Sequence, residues 1–311
     1  MQLVNEFGAS NRILLAVKIA SQCGQAISMN EIALMLPRLT ESASVQETIE
    51  TDLCISKSVS LEDGFVVLRG YERLFSERAS REKVSRNYRG IAEVFIRELR
   101  RRSPYMKLMA VCGSVAYGSA RDSDDIDLFI LTQENRMWLT FFKALLLARV
   151  FNIKASINGE KTDFCLSYMK DKKSFEEEVT RRRNPLLARE FLSLYVIDGM
   201  NCYFELLEGT SWMSDILPNL FAQRMFNHRK EGTCDREFGQ GLQSRDIINL
   251  FIYVLLGGFL RLKAFLRNLR FRKQRKMKDV FEAKITQGSC VYTSNRYREL
   301  ERLYNSSYSS G

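Results

Sequence analysis

Asp125 and Asp127 stand two positions apart in the run Asp125-Ile126-Asp127-Leu128-Phe129-Ile130-Leu131. In an extended strand that spacing sends both carboxylates to one face and Ile126, Leu128 and Ile130 to the other. Neighbouring carboxylates repel and raise each other's pKa unless a cation lies between them. A divalent metal resolves the conflict, and donors that are all oxygen favour Mg2+ or Mn2+. The acids follow a small-residue turn, Cys112-Gly113-Ser114-Val115-Ala116-Tyr117-Gly118-Ser119, and a polar loop in which Asp122, Ser123 and Asp124 read as turn residues. The only histidine is His228, which removes His-built metal sites and Ser/His or Cys/His catalytic pairs at this motif. No GxxxxGK[ST] loop occurs either.

The elements that would position these acids can be read on both sides. From about Ser80 to Arg102, Val84, Tyr88, Ile91, Phe95 and Leu99 recur at helical spacing, predicting a long lead-in helix. Pro104 ends it before a short buried-type strand, Lys107 to Val111. After the motif, Trp138 to Phe151 is apolar enough for a covering helix. Ile153 to Ile157, Asn158-Gly159 and Thr162 to Tyr168 then have the pattern of a hairpin about an Asn-Gly turn. In its second strand Asp163 is the one acid among apolar and small residues, a candidate third carboxylate; Glu160 is another acid close by. Lys154, Lys161 and Arg121 are candidate phosphate contacts, with solvated surface as the default for each.

The Gly113-Ser114 pair, ten residues, Asp125-Ile126-Asp127 and an acid on a later strand together resemble the DNA polymerase beta-like nucleotidyltransferase superfamily. The resemblance covers residues 107–132 and extends through 168. It implies an α+β fold with a mixed sheet and a nucleoside triphosphate, such as ATP, as substrate. It also implies a metal-dependent transfer of a nucleoside monophosphate to an acceptor hydroxyl with release of pyrophosphate. Asp125, Asp127 and Asp163 would hold two metal ions ~4 Å apart that stabilise the attacking and leaving oxygens. Asp163 could accept the acceptor's proton. Gly113 would permit close backbone approach, and the Ser114 hydroxyl and amide would donate to the triphosphate.

Around this centre three regions are expected: residues 1–75, a catalytic domain over 76–173 with its lead-in helix at 80–102, and a helical region over 174–311. In the first, a helix over 11–20 with Asn11 as cap is followed by a short helix after Ser28 that stops at Pro37. A third helix opens at Ser44-Val-Gln-Glu47, and a hairpin turns at Glu62-Asp63-Gly64. That order is winged-helix-like. Its third helix, however, carries Glu47, Glu50 and Asp52 and no Lys or Arg, a poor match to DNA phosphates.

The net charge is +10, unevenly spread. Residues 261–311 hold thirteen Lys/Arg against four Asp/Glu, whereas residues 1–75 hold six against nine. A polyanionic acceptor such as RNA fits the basic end. Seven cysteines without CxxC spacing, and a start lacking a signal-peptide profile, lead to the expectation of a cytoplasmic protein. Residues 247–260 are the most apolar run, shorter than the ~20 residues of a spanning helix. With the basic residues after 261 they form an amphipathic helix, read here as a core helix with a basic outer face. Two alternative functions stay open: a catalytically weak regulator that binds DNA or a protein, and a peripheral membrane protein using residues 247–276.

Overall fold

The computed structural model, which describes residues 3–36, 40–157, 163–228, 244–274 and 280–308, is organised by two sheets. The smaller belongs to the N-terminal region: α1 (Leu3–Gln22), β1 (Ile27–Ser28), α2 (Met29–Leu34), α3 (Ser42–Thr51), α4 (Leu53–Ser58), β2 (Val59–Glu62) and β3 (Phe65–Leu68), with strand order β1-β3-β2. Ser28 and Glu31 form a reciprocal capping box on α2, in which the Glu31 amide donates to Ser28 Oγ (3.2 Å) and the Ser28 amide to Glu31 Oε2 (2.7 Å). Asp63 and Gly64 both take positive φ, 49° and 77°, as a tight two-residue hairpin turn requires.

The sequence expectation needs three corrections here. Asn11 lies inside α1 rather than capping it, and α3 begins at Ser42, leaving Ser44 within the helix. The expected third helix is two, because the Asp52 carboxylate accepts from the amides of Cys54 (2.8 Å) and Ile55 (3.3 Å) and starts a new helix. After that helix the first hairpin strand is Val59–Glu62.

The lead-in helix α5 runs Arg73–Arg102, starting about two turns before the expected Ser80. Then come β4 (Met106–Val111), α6 (Gly113–Ala116), β5 (Ile126–Thr132), α7 (Met137–Ile157) and β6 (Phe164–Asp171). Strands β4 and β5 are antiparallel, but β5 and β6 are parallel. Parallel neighbours need a crossover connection, and α7 is that crossover. Ile153 to Ile157 is therefore its last turn and not a hairpin strand; Asn158-Gly159, Glu160 and Lys161 lie outside the described residues.

The chain continues through α8 (Lys172–Arg181), α9 (Pro185–Leu192), β7 (Tyr195–Asp198), α10 (Met200–Glu208), α11 (Trp212–Ile216) and α12 (Pro218–His228). It ends in α13 (Ser244–Ile252), a π-helical turn Tyr253–Gly257, α14 (Gly258–Lys273), β8 (Phe281–Thr286), β9 (Ser289–Ser294) and α15 (Asn295–Tyr308). The region expected to be helical thus adds three strands, and the large mixed sheet has the order β7-β4-β5-β6-β9-β8. The alternating run Phe281-Glu-Ala-Lys-Ile-Thr286 and the Gln287-Gly288 turn carry a hairpin that the surrounding helices mask in a coarse reading.

The central strands are buried on both faces, and their alternation divides two cores. Met109, Val111, Ile126, Leu128 and Ile130 pack with Phe95, Trp138 and Phe141 of α5 and α7. Leu108, Ala110, Phe129 and Leu131 pack with Phe175, Phe191 and Tyr203 of α8, α9 and α10. Asp127 shares its strand parity with Phe129, so it faces the second side, toward α9.

The helix Asp246–Lys273 departs most from expectation: it has 28 residues, with an 18-residue window of mean hydropathy 1.7 that is only 17% buried. By length and composition it could cross a bilayer. Its inner face is nevertheless docked on α7 and β8. Buried Asn249 accepts from the Leu139 amide (3.0 Å), and Arg261 donates to Ile285 O (2.6 Å). Asn268 exchanges hydrogen bonds with the Phe281 main chain (2.6 and 3.2 Å). It is not a core helix: Ile252, Leu256 and Leu260 pack inward, but Phe251, Leu255, Phe259, Leu262, Phe265 and Leu266 face outward.

Candidate active site

The motif turn is held from behind by α5. Its Ser85 hydroxyl accepts from the Ala120 amide (3.0 Å), and the Tyr88 hydroxyl donates to Asp122 O (2.8 Å). Arg89 donates to the carbonyls of Val115 and Ala116 (both 3.1 Å). Buried Arg81 donates to Ser119 O (3.0 Å) while the Glu77 carboxylate (2.5 Å) balances its charge. One helix face thus satisfies the main-chain groups of a loop that has no sheet partner of its own.

On the other side the Cys112 amide donates to Asp127 O (3.0 Å), which ties the end of β4 to the acidic strand. Gly113 then turns with φ +66°, and a Cβ there would lie 2.7 Å from Asp127 Oδ2. A glycine is required on both counts, by conformation and by space. Asp124, expected to be a turn residue only, is the internal tie of the loop: its Oδ2 accepts from Ser114 Oγ and from the Arg121 amide, each 3.1 Å.

Gly113, Ser114, Asp125 and Asp127 line one cleft of about 550 Å³, together with Arg81, Arg121 and Asp124. Its other walls come from distant segments: Gln22, Cys23 and Gly24 after α1, Leu186, Arg189 and Glu190 of α9, and Tyr297 and Leu300 of α15. Tyr117 joins motif to wall, donating to Glu190 Oε1 (3.0 Å) with the Arg189 guanidinium 4.9 Å from its ring centre. Sequence reasoning missed Arg189 and Glu190, which stand in an apolar helix with no local motif to mark them.

Asp125 is exposed and Asp127 half-buried. Desolvation, and then the nearby charges of Asp125, Asp124 and Glu190, push the Asp127 carboxyl up to about 6, against a hydrogen bond from the Cys165 thiol. Burial also raises the Glu190 carboxyl, opposed by Arg189 and the Tyr117 hydroxyl. Several acids crowd one site and the deeper one is reluctant to ionise. That is the electrostatic condition a bound cation relieves.

Asp163 has a different placement. It immediately precedes β6, and its carbonyl accepts from the Ile126 amide (2.8 Å), so it flanks Asp125-Ile126 across the sheet. Its carboxylate accepts from Asn152 Nδ2 of α7 (3.0 Å), and it is absent from the described residues that line the cleft. The residue in register with Asp127 is Cys165. Among the described residues no three of His, Cys, Asp and Glu gather closely enough to hold a metal by themselves. Two carboxylates still suit Mg2+, which is commonly held by one or two carboxylates with substrate phosphates and waters completing its shell. Of the candidate phosphate contacts Arg121 is in the cleft and Lys154 is exposed on α7.

Residues 92–192 match the family model described as a nucleotidyltransferase domain. No curated protein sequence matches the chain. Among solved structures it is similar to one titled "Crystal structure of the toxin-antitoxin with AMP-PNP", at 18% identity and a TM-score of 0.25, over 44% of this chain and 96% of that one.

Proposed function

We propose that the protein transfers a nucleoside monophosphate from a nucleoside triphosphate to an acceptor hydroxyl. In the balanced step the acceptor oxygen bonds to the α-phosphorus as the bond to the β-phosphate oxygen breaks. Pyrophosphate leaves, and the acceptor's proton passes to a carboxylate. The observation that carries this reading is the shared cleft of Asp125, Asp127, Gly113 and Ser114 within a nucleotidyltransferase domain.

In this reading Asp125 and Asp127 would hold Mg2+ or Mn2+, whose charge would offset that accumulating on the attacking and leaving oxygens. Asp163 is the proposed third carboxylate and proton acceptor; the hydrogen bond from Asn152 is the contact it would give up. The amides of the Gly113 turn and the Arg121 guanidinium are placed to meet phosphate oxygens. The walls from α9 and α15 leave the acceptor side lined by Arg189, Glu190 and Tyr297. A polyanionic acceptor such as RNA is consistent with the basic C-terminal region.

The test is incubation with each α-labelled triphosphate, Mg2+ and cell extract. Wild-type protein is expected to transfer label, and the Asp125→Ala/Asp127→Ala variant to lose transfer by at least a thousandfold, about 4 kcal/mol of transition-state stabilisation. Label transfer that persists in the double variant would remove the assignment. Asp163→Asn is expected to cost less in nucleotide binding than in turnover.

A further inference from the structure

The geometry points to a second working surface: we propose that α14 and the helix before it seat the protein on an anionic lipid bilayer, lying in the interface rather than crossing it. Phe251, Leu255, Phe259, Leu262, Phe265 and Leu266 are each 55–63% exposed, as residues of a soluble core helix are not. In α14 they form one stripe. Taking Leu262 as its centre at roughly 100° per residue, Phe259, Phe265, Leu266 and Leu269 fall within about 60° of it. The opposite face is the docked one, with buried Ala264 and with Asn268 bonded to Phe281.

Charge at the borders of the stripe selects its occupant. Lys263 and Arg270 fall along one edge and Arg272 along the other, all three exposed, beside Arg261, which β8 holds. No Asp or Glu occurs from Ile247 to Lys278. An apolar stripe bordered on both sides by long cationic side chains matches acyl chains below and anionic headgroups beside them. A second copy would bring the same basic borders against each other, where paired helices need opposite charges. RNA would use the basic edges and leave the stripe between them uncovered. The neighbouring helix α7 extends the apolar surface with an exposed row of its own, Phe142, Leu146, Val150 and Ile153.

The docked inner face decides between lying on the membrane and spanning it. Gly257 packs against Trp138, whose indole donates to Thr286 O (3.0 Å), and Arg261 and Asn268 bond the β8 main chain. A spanning helix would have to abandon all of these contacts. An interfacial helix keeps them.

The experiment is co-sedimentation of the full chain with vesicles of phosphatidylcholine containing phosphatidylglycerol, and with phosphatidylcholine alone. The protein is expected to pellet with the anionic vesicles only and to be released by high salt or alkaline carbonate. Lys263→Gln/Arg270→Gln/Arg272→Gln is expected to lower partitioning on the order of a hundredfold, from about a fivefold loss per cation. Leu262→Gln/Leu266→Gln should abolish pelleting, and both variants should melt like wild type because they alter exposed positions. The proposal fails if wild-type protein does not pellet, or pellets equally with neutral vesicles. It also fails if carbonate does not release it, which would indicate a spanning helix. A dimer lost in Leu262→Gln/Leu266→Gln, or RNA capture without vesicle binding, would assign the face elsewhere.

Discussion

Gly113 and Asp127 illustrate how narrowly the site is set. Ala at position 113 would pay about 1–2 kcal/mol for the left-handed conformation and would place its Cβ 2.7 Å from Asp127 Oδ2. Gly113→Ala is expected to fold with a lowered melting temperature and to lose transfer on the order of a hundredfold, the effect of displacing a reacting group by about 1 Å. Melting and turnover measured on the same preparation would check both. The Asp127 carboxyl also sets a pH dependence. Its pKa in the folded chain, about 6, lies above the ordinary value of 3.8. Ionising it therefore costs folding stability as pH rises through that interval, and the cost is complete above about 6. On the proposed reading a metal ion must displace this proton below pH 6. Mn2+ affinity is then expected to rise with pH and level off above about 6, as calorimetric titration on either side of that value would show. The residues that revealed this site in the sequence are close together in the chain: turn, interval and paired acids fit within twenty positions, Cys112 to Leu131. Arg189 and Glu190 complete it from α9, and nothing in their local spacing signals that.

At the scale of elements, α5 matters more to the motif than its role as a lead-in suggests. Its Ser85 hydroxyl is buried, donating to Arg81 O (2.9 Å) and accepting from the Ala120 amide. Ser85→Ala leaves that amide without its acceptor and should cost about 1–3 kcal/mol, measurable in denaturant. The nucleotide KM should rise as the loop loosens. The long helix was legible because Val84, Tyr88, Ile91, Phe95 and Leu99 repeat over about four turns. Its function as a clamp was not, because Arg81, Ser85 and Arg89 look like ordinary solvated positions until the loop is seen against them. The Ile153–Ile157 error has a similar origin. Five residues of alternating pattern fit a strand or a helix end equally well, and only the parallel pairing of β5 with β6 decides between them.

For the whole molecule, the N-terminal region is attached as a wall rather than as a separable reader. Arg78 of α5 bonds Ala26 O and stacks over Phe65 at 4.1 Å, and Asn219 of α12 donates to Ala33 O (2.9 Å). Deleting residues 1–72 is expected to lower the melting temperature by several degrees, about 2–4 °C for each kcal/mol lost. It should weaken nucleotide binding as well, since Gln22 to Gly24 leave the cleft. A truncated chain that melts and binds like the intact one would refute that attachment. The cleft has a further property, which concerns its history during synthesis. Its floor includes Asp125 and Asp127, whereas Tyr297 comes 170 residues after Asp127 in the sequence. Until Tyr297 and Leu300 are made, the acidic pair already has its strand but that wall of the cleft is missing. On the proposed reading, the cleft gains the wall supplied by Tyr297 and Leu300 only after α15 has been made and has docked on α9.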